Sequence, residues 1–468
     1  MRAQEQFDTF ARKYPHPHQP FYSRPHITRR RWFQIFGAGV GVSCLAGPAR
    51  AGVVIKSNSV QTQNTARNVI FLFMTGAPSH TDTFDLKVVD GTTPSNFSPA
   101  QIGSVLWPSG LLPNLAAHLP DMAIIRSMRA WAAAHQLGQH WVQIGRNPAA
   151  ALGDIAPNIG SIVAVEKESE RQQGQVLPTF LALNAFDAIG SGYLSAAYDP
   201  MRIAPAATGI PNTTNIDGQS RMNSRWSLLH TLDDKLRVDS PLGQTAADYA
   251  DFTTSAQNLM YNPDVQTAFN YTADDSTRYG NTSFGNACLL AQKIVAANLG
   301  TRFVQVELGG WDMHQNIYGQ AGKGGLYTLG KTFDVGVSAM LDDLKKSGQL
   351  NQTLVVMMGE FGRTVGKLTG QAGRDHLLQQ FVAFAGAGVK GGRAIGSTDA
   401  TGASTDDPGW SRNRDVKPED IEATIYSAMG INWTSVRYDD PFGRGFEYVP
   451  FSNSQDLYGP VNELWQSS

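Results

Sequence analysis

The sequence predicts an α/β protein: a mostly parallel central sheet with helices on both faces, and a polar cap or insertion segment over one edge. Three observations carry this expectation. Several short runs are almost continuously aliphatic or β-branched, stretches of helical length separate them, and one internal stretch abandons both patterns for Asn, Thr and Pro. A strand covered on both faces has no solvent side, so unbroken hydrophobicity marks parallel strands packed under helices.

Six runs read as buried strands: Asn68–Thr75, Met122–Ser127, Thr179–Leu183, Arg302–Leu308, Thr353–Met358 and Phe381–Ala385. Helices are expected over Leu112–His118, Ile159–Arg171, Gly285–Asn298, Tyr327–Lys346 and Pro418–Met429. The last is the best punctuated, with Pro418-Glu419-Asp420 opening it and Gly430 closing it. The polar stretch begins near Tyr198. Residues 198–271 are expected to form the insertion, with Ser240–Tyr271 as its helical part. The Gly/Ser/Thr/Asp-rich stretch 391–413 reads as a long loop. The main domain is expected over 66–430 and a C-terminal extension over 431–468.

The N-terminus reads as an export signal. Thr28-Arg29-Arg30-Arg31-Trp32-Phe33 precedes an apolar run, Ile35–Val42, which Ala49-Arg50-Ala51 closes. Consecutive arginines, a short apolar core and an Ala-x-Ala ending describe a twin-arginine signal peptide over 1–51 with a long leader. The apolar core is too short for a bilayer, which needs ~20 residues. The expected location is therefore periplasmic or secreted. Of 38 Lys/Arg and 40 Asp/Glu, eight and two fall within 1–51. Cleavage there leaves 30 basic against 38 acidic residues, a net charge near −8. Such a balance gives no reason to expect a nucleic-acid partner. No other apolar run is long enough to predict an integral membrane span. Cys288 is the only cysteine after residue 51, which excludes an intramolecular disulfide and a thiolate zinc cluster.

In doubly wound sheets ligands bind beyond the carboxyl ends of the strands, which makes strand ends a shortlist. After Arg302–Leu308 comes Gly309-Gly310-Trp311-Asp312-Met313-His314. After Thr353–Met358 comes Gly359-Glu360-Phe361-Gly362-Arg363-Thr364, and before Phe381–Ala385 lies Gly373-Arg374-Asp375-His376. Asp, Glu and His in combination suit zinc, manganese or iron. The first strand is followed by Gly76-Ala77-Pro78-Ser79-His80-Thr81-Asp82-Thr83-Phe84-Asp85, where Ser79 is a candidate nucleophile and Asp82 or Asp85 a ligand or a helix cap. In Trp131–Arg146, His135 and His140 stand at i and i+5. They share a helical face poorly, so His135 alone is expected to face the site.

Together these segments resemble the DUF1501 family, exported relatives of the alkaline phosphatase and sulfatase superfamily. The resemblance runs through G-A-P-S-H-T-D-T-F-D, the H-x-x-G of His135–Gly138, G-G-W-D-M-H, G-E-F-G-R-T and G-R-D-H. It implies an alkaline phosphatase-like fold, a divalent ion (zinc, manganese or calcium) at the carboxyl edge of the sheet, and an anionic small-molecule or polymer substrate. By position, Asp312 and His376 resemble the superfamily's metal ligands, with His314 as the third. Arg363 and Arg374 are the expected substrate-binding guanidinium groups, and Glu360 or His135 the expected general base. The chain departs from the superfamily in three places. Thr75-Gly76 stands where the early strand normally ends in an aspartate, Phe361 stands where a histidine normally follows the carboxylate, and Trp131–Gly138 holds no Ser, Thr or Cys. Two functions are therefore expected. The first is an exported metal-dependent hydrolase of a phosphate or sulfate ester, carried on a carbohydrate or other surface polymer. The second is a non-catalytic relative that binds an anionic ligand or a cell-surface partner.

Overall fold

The computed structural model describes residues 53–211, 213–237, 253–319 and 325–466. The twin-arginine segment and residues 240–252 of the expected helical part lie outside the described residues.

Eight strands form the central sheet: β1 (Asn68–Phe73), β2 (Met122–Arg129), β3 (Phe180–Leu183), β4 (Met201–Ile203), β5 (Phe303–Glu307), β6 (Thr353–Met358), β7 (Gln379–Ala385) and β8 (Arg393–Ile395). Their spatial order is β8-β2-β7-β6-β1-β5-β3-β4. Strand β1 lies between β5 and β6 and is parallel to both, while β3 is parallel to β4 and β5. Strand β7 alone runs against its neighbours β6 and β2, and β8 is parallel to β2. Seven strands therefore share one direction, and the start of β7 lies at the edge where the other seven end.

Alternate side chains of β1 show how both faces are covered. Ile70 and Leu72, with Met74 just after the strand, enter one core with Leu289 and Ile294 of the helix Ser283–Ala297 and Val337 and Leu341 of the helix Gly325–Lys346. Val69, Phe71 and Phe73 enter the other, with Ile162 of Ile159–Lys167 and Ile421 and Ile425 of Pro418–Ala428. All six residues of β1 are buried. Each such large apolar side chain contributes about 1.5–3 kcal/mol, which explains why polar residues are tolerated only where the strand ends.

Four local expectations need revision. Strands β4 and β8 were not foreseen, because each is three residues long and sits in Pro- or Gly-rich sequence at a sheet edge. Residues 201–203 of the expected insertion thus belong to the sheet. The stretch after Leu112 forms a 3-10 helix over Leu115–Asp121, with Pro120 inside it. The C-terminal segment is stitched into the domain: Val436–Arg437 pairs with Ile55–Lys56 and Phe446–Glu447, and Tyr448 and Leu464 are buried in the second core. Among the described residues no helix is long and apolar enough to cross a membrane.

One consequence of dense burial is testable by pH. Glu419, in the first turn of Pro418–Ala428, accepts hydrogen bonds from the indoles of Trp131 and Trp141, both at 2.9 Å. Burial pushes its carboxyl up from 4.5 to about 7. The folded chain keeps a proton there that the unfolded chain releases, so the group's contribution is complete below about pH 4.5 and is lost as pH rises to about 7. Its full loss amounts to up to about 3 kcal/mol. Urea titrations of wild type and Glu419→Gln across pH 4.5–8 should show a flatter stability profile for the variant.

Candidate metal centre

The strand directions explain why five distant segments meet. The segments following β1, β5 and β6 emerge at one edge, β2 leads there into the helix His135–Ile144, and the reversed β7 begins there just after His376. Two glycines let the backbones touch. Gly76 has φ +103°, and a Cβ on it would lie 2.6 Å from the Asp312 amide nitrogen. A Cβ on Gly373 would lie 1.9 Å from the carbonyl carbon of His314. Any side chain at either position would push the segments carrying Asp312 and His314 away from their partners.

His135, Asp312, His314 and His376 each offer a ligand atom, and these atoms all lie within 4.8 Å of one another. Asp312 Oδ1 is 3.1 Å from His135 Nε2, 3.0 Å from His314 Nε2 and 3.7 Å from His376 Nε2. The outer partners fix the tautomer of each ring. His376 Nδ1 donates to the Ala133 carbonyl at 2.7 Å, which can only accept. His135 Nδ1 donates to Glu360 at 2.6 Å, and His314 Nδ1 to Asp375 at 2.8 Å. With all three Nδ1 atoms protonated, the three Nε2 atoms turn lone pairs inward. His314 and His376 face each other Nε2 to Nε2 at 3.0 Å, and His135 Nε2 is buried without a hydrogen-bond partner. Lone pairs at such separations repel each other and the nearby carboxylate, and a cation between them turns that repulsion into ligation. Ligand atoms ~2.1 Å from an ion lie no more than about 4.2 Å apart, so modest side-chain movement closes the set.

The shifts of Asp312 and His376 favour the metal-binding forms, and that of His135 opposes them. Burial pushes the Asp312 carboxyl up, but the hydrogen bond and charge of Arg363, with help from His135, outweigh it and hold the group below its usual range. Burial, opposed by the Ala133 hydrogen bond and aided by Arg363 and the other two rings, holds His376 below its usual value. The hydrogen bond that His135 donates to Glu360 pushes its pKa up, against burial and with the Glu360 and Asp312 charges adding to it. A metal requires an ionised carboxylate and neutral imidazoles, so binding an ion must displace any proton that the raised His135 holds.

Several expected roles change. Arg363 is 1% exposed. It donates to the carbonyls of Ala77, Gly76 and Arg374 and to Asp312 Oδ1, the last at 2.6 Å. With its donors engaged internally, it positions Asp312 and cannot clamp a substrate. Arg374 is equally buried and pairs with Asp82 at 2.7 Å, while donating to Tyr318 and the Thr364 and Gly366 carbonyls. Ser79 is 1% exposed and gives its hydroxyl to Asp82 at 2.6 Å, so the nucleophile reading lacks a reachable hydroxyl. Glu360 is fully buried and accepts from the amides of Gly76 and Ala77, from Gln139 and from His135. It holds His135 in place and does not reach solvent, and His135 itself belongs to the cluster that could hold an ion. Asp375 was missed as a functional group. Its signal was adjacency to His376, but its partner is His314, 61 residues away.

The Glu360 contact carries a quantitative expectation. Carboxylates behind a metal-bound histidine are worth about 10–100-fold in metal affinity. Glu360→Gln should weaken zinc binding by that factor in a competition titration with a chromogenic chelator.

Fold and site define an α/β protein with a His/Asp cluster that could hold a metal ion at the carboxyl edge of its sheet. Residues 66–453 match the family described as "Protein of unknown function (DUF1501)", and the chain belongs to that family. It is similar to the solved structures of a sulfatase, PsFucS1, from Pseudoalteromonas sp. (12% identity, 78% of this chain, 68% of that one, TM-score 0.36). It is also similar to the lipoteichoic acid synthase LtaP from Listeria monocytogenes (10%, 81% and 76%, 0.37). A third is the phosphonate monoester hydrolase SpPMH from Silicibacter pomeroyi (13%, 82% and 76%, 0.33). The likeness is one of fold. No curated protein matches the sequence.

Proposed function

We propose that the chain is an exported, metal-dependent hydrolase of a phosphate or sulfate ester borne on a carbohydrate or other surface polymer. The observation that supports this reading best is the set of three inward Nε2 lone pairs around an ionised Asp312, each ring held by its own outer acceptor. Imidazoles and one carboxylate form a nitrogen-rich set that suits zinc or manganese and not the all-oxygen preference of calcium. A divalent ion held there supplies a Lewis acid for an ester oxygen and lowers the pKa of water at the site. The chain's own residues prepare that chemistry. Glu360 and Asp375 hold His135 and His314 in register, and Arg363 keeps Asp312 ionised. The side chains of Asp312 and His314 are 45% and 42% exposed, which leaves the ion's outer side open to substrate.

One observation favours the second reading, a relative that binds an anion without turning it over. Ser79 is sealed, and Arg363 and Arg374 are both engaged inside the protein. The two readings part on a single experiment. Protein loaded with zinc or manganese is assayed against a panel of aryl phosphate, phosphonate and sulfate esters, then stripped with a chelator and reloaded. Metal-dependent turnover that survives Ser79→Ala supports the hydrolase. Saturable vanadate or sulfate binding without turnover supports the binder.

A further inference from the structure

The polar stretch that supplies the sheet edge also builds a second, separate cavity. The helix Gly218–Arg237 and the stretch 257–261 border a half-open recess of about 310 Å³, the lower end of the range for small-molecule sites. Its lining is chemically uniform. Asn223, Gln257 and Asn258 present carboxamides, and Trp226 and Tyr261 present rings, with two methionines and Gln219 completing the wall. No charged side chain is among these described lining residues. Carboxamides each offer donors and an acceptor, and aromatic rings offer an apolar face with a polar tip. That pairing matches the two aspects of a neutral sugar, whose hydroxyls lie around the rim of a ring with C–H groups on its face.

Two further observations mark the cavity as built. Tyr261 has φ +57°, a left-handed conformation that a bulky residue keeps only where its surroundings enforce it. Here they do: its amide donates to the Thr213 carbonyl and its hydroxyl oxygen accepts from the Asn215 amide at 2.8 Å. Trp226 Nε1–H is buried and has no acceptor among the described residues, a deficit a ligand hydroxyl can relieve. The neighbouring Arg225 is paired with Asp217 at 2.5 Å.

We infer that this cavity binds a neutral oligosaccharide, at a site distinct from the metal centre. A peptide is the poorer match, since the lining provides neither a free sheet edge nor a deep apolar pocket. The inference concerns binding alone and stands whether or not the metal centre is catalytic.

Calorimetric titration of the full chain with β-1,4-glucose, α-1,4-glucose and β-1,4-galactose hexasaccharides and a Gly/Ser hexapeptide provides the test. Saturable binding of at least one sugar is expected, weakened at least about tenfold by Trp226→Ala. Asn223→Ala, at an exposed helical position, should weaken it without threatening the fold. Bound zinc should be unchanged in both variants. Absence of binding by every sugar, binding indifferent to both substitutions, or preference for the peptide would overturn the inference.

Discussion

Replacing Asp312 by asparagine should weaken divalent-cation binding by at least about 100-fold while the apo protein melts at nearly its wild-type temperature. Asparagine keeps an oxygen acceptor for Arg363, whose buried guanidinium would otherwise lose a side-chain acceptor and keep only backbone carbonyls. What disappears is the negative charge that faces three imidazole nitrogens at 3.0–3.7 Å. Substitutions one layer further out already cost about 10–100-fold, so loss of the charged ligand marks the upper end and beyond. A second readout follows from linkage. An ion at 100 times its dissociation constant stabilises the folded state by about 2.7 kcal/mol, and the variant should lose that increment under the same conditions. Chelator competition and paired melts with and without zinc check both. An unchanged affinity would mean that the cation, if bound, sits elsewhere.

Replacing Asp82 by alanine should destabilise the chain by about 3–5 kcal/mol, the range for removing one member of a buried pair. Asp82 is fully buried and Arg374 nearly so. The carboxylate accepts from Arg374, Ser79 and Tyr318 at once. Truncation strands a buried guanidinium and orphans two hydroxyls, in a region whose collapse would also move Gly373 against His314. The double variant Asp82→Asn/Arg374→Met removes both charges and should recover part of the loss, because a neutral, volume-matched pair requires no buried countercharge. Denaturant titrations of the single and double variants check this. A mild cost for Asp82→Ala, coupled to a selective loss of anion binding, would restore Arg374 to the substrate site.

The central fold was legible because buried strands are unambiguous in composition: NVIFLF and TLVVMM can face only apolar surroundings on both sides. Edge strands were not. Met201–Ile203 and Arg393–Ile395 are too short to show a period, and their pairing depends on neighbours far away in sequence. The same contrast holds at the site. Asp312, His314 and His376 stood out as uncommon residue types at strand ends, and the structure brings them together with His135. The roles of Arg363, Arg374 and Ser79 depended on direction, not on type. A guanidinium beside a candidate site serves a substrate only if it points outward, and both of these point in. Sequence position also concealed the reversal of β7, which brings His376, ahead of a strand, to the edge where the other strands end.

X-ray absorption at the zinc edge on stoichiometrically loaded protein tests the central claim most directly. A shell of nitrogen and oxygen at about 2.0–2.2 Å, with outer scattering from three imidazoles that falls to two in His376→Ala, is the predicted result. Substoichiometric metal, or a shell without imidazole scattering, would contradict it.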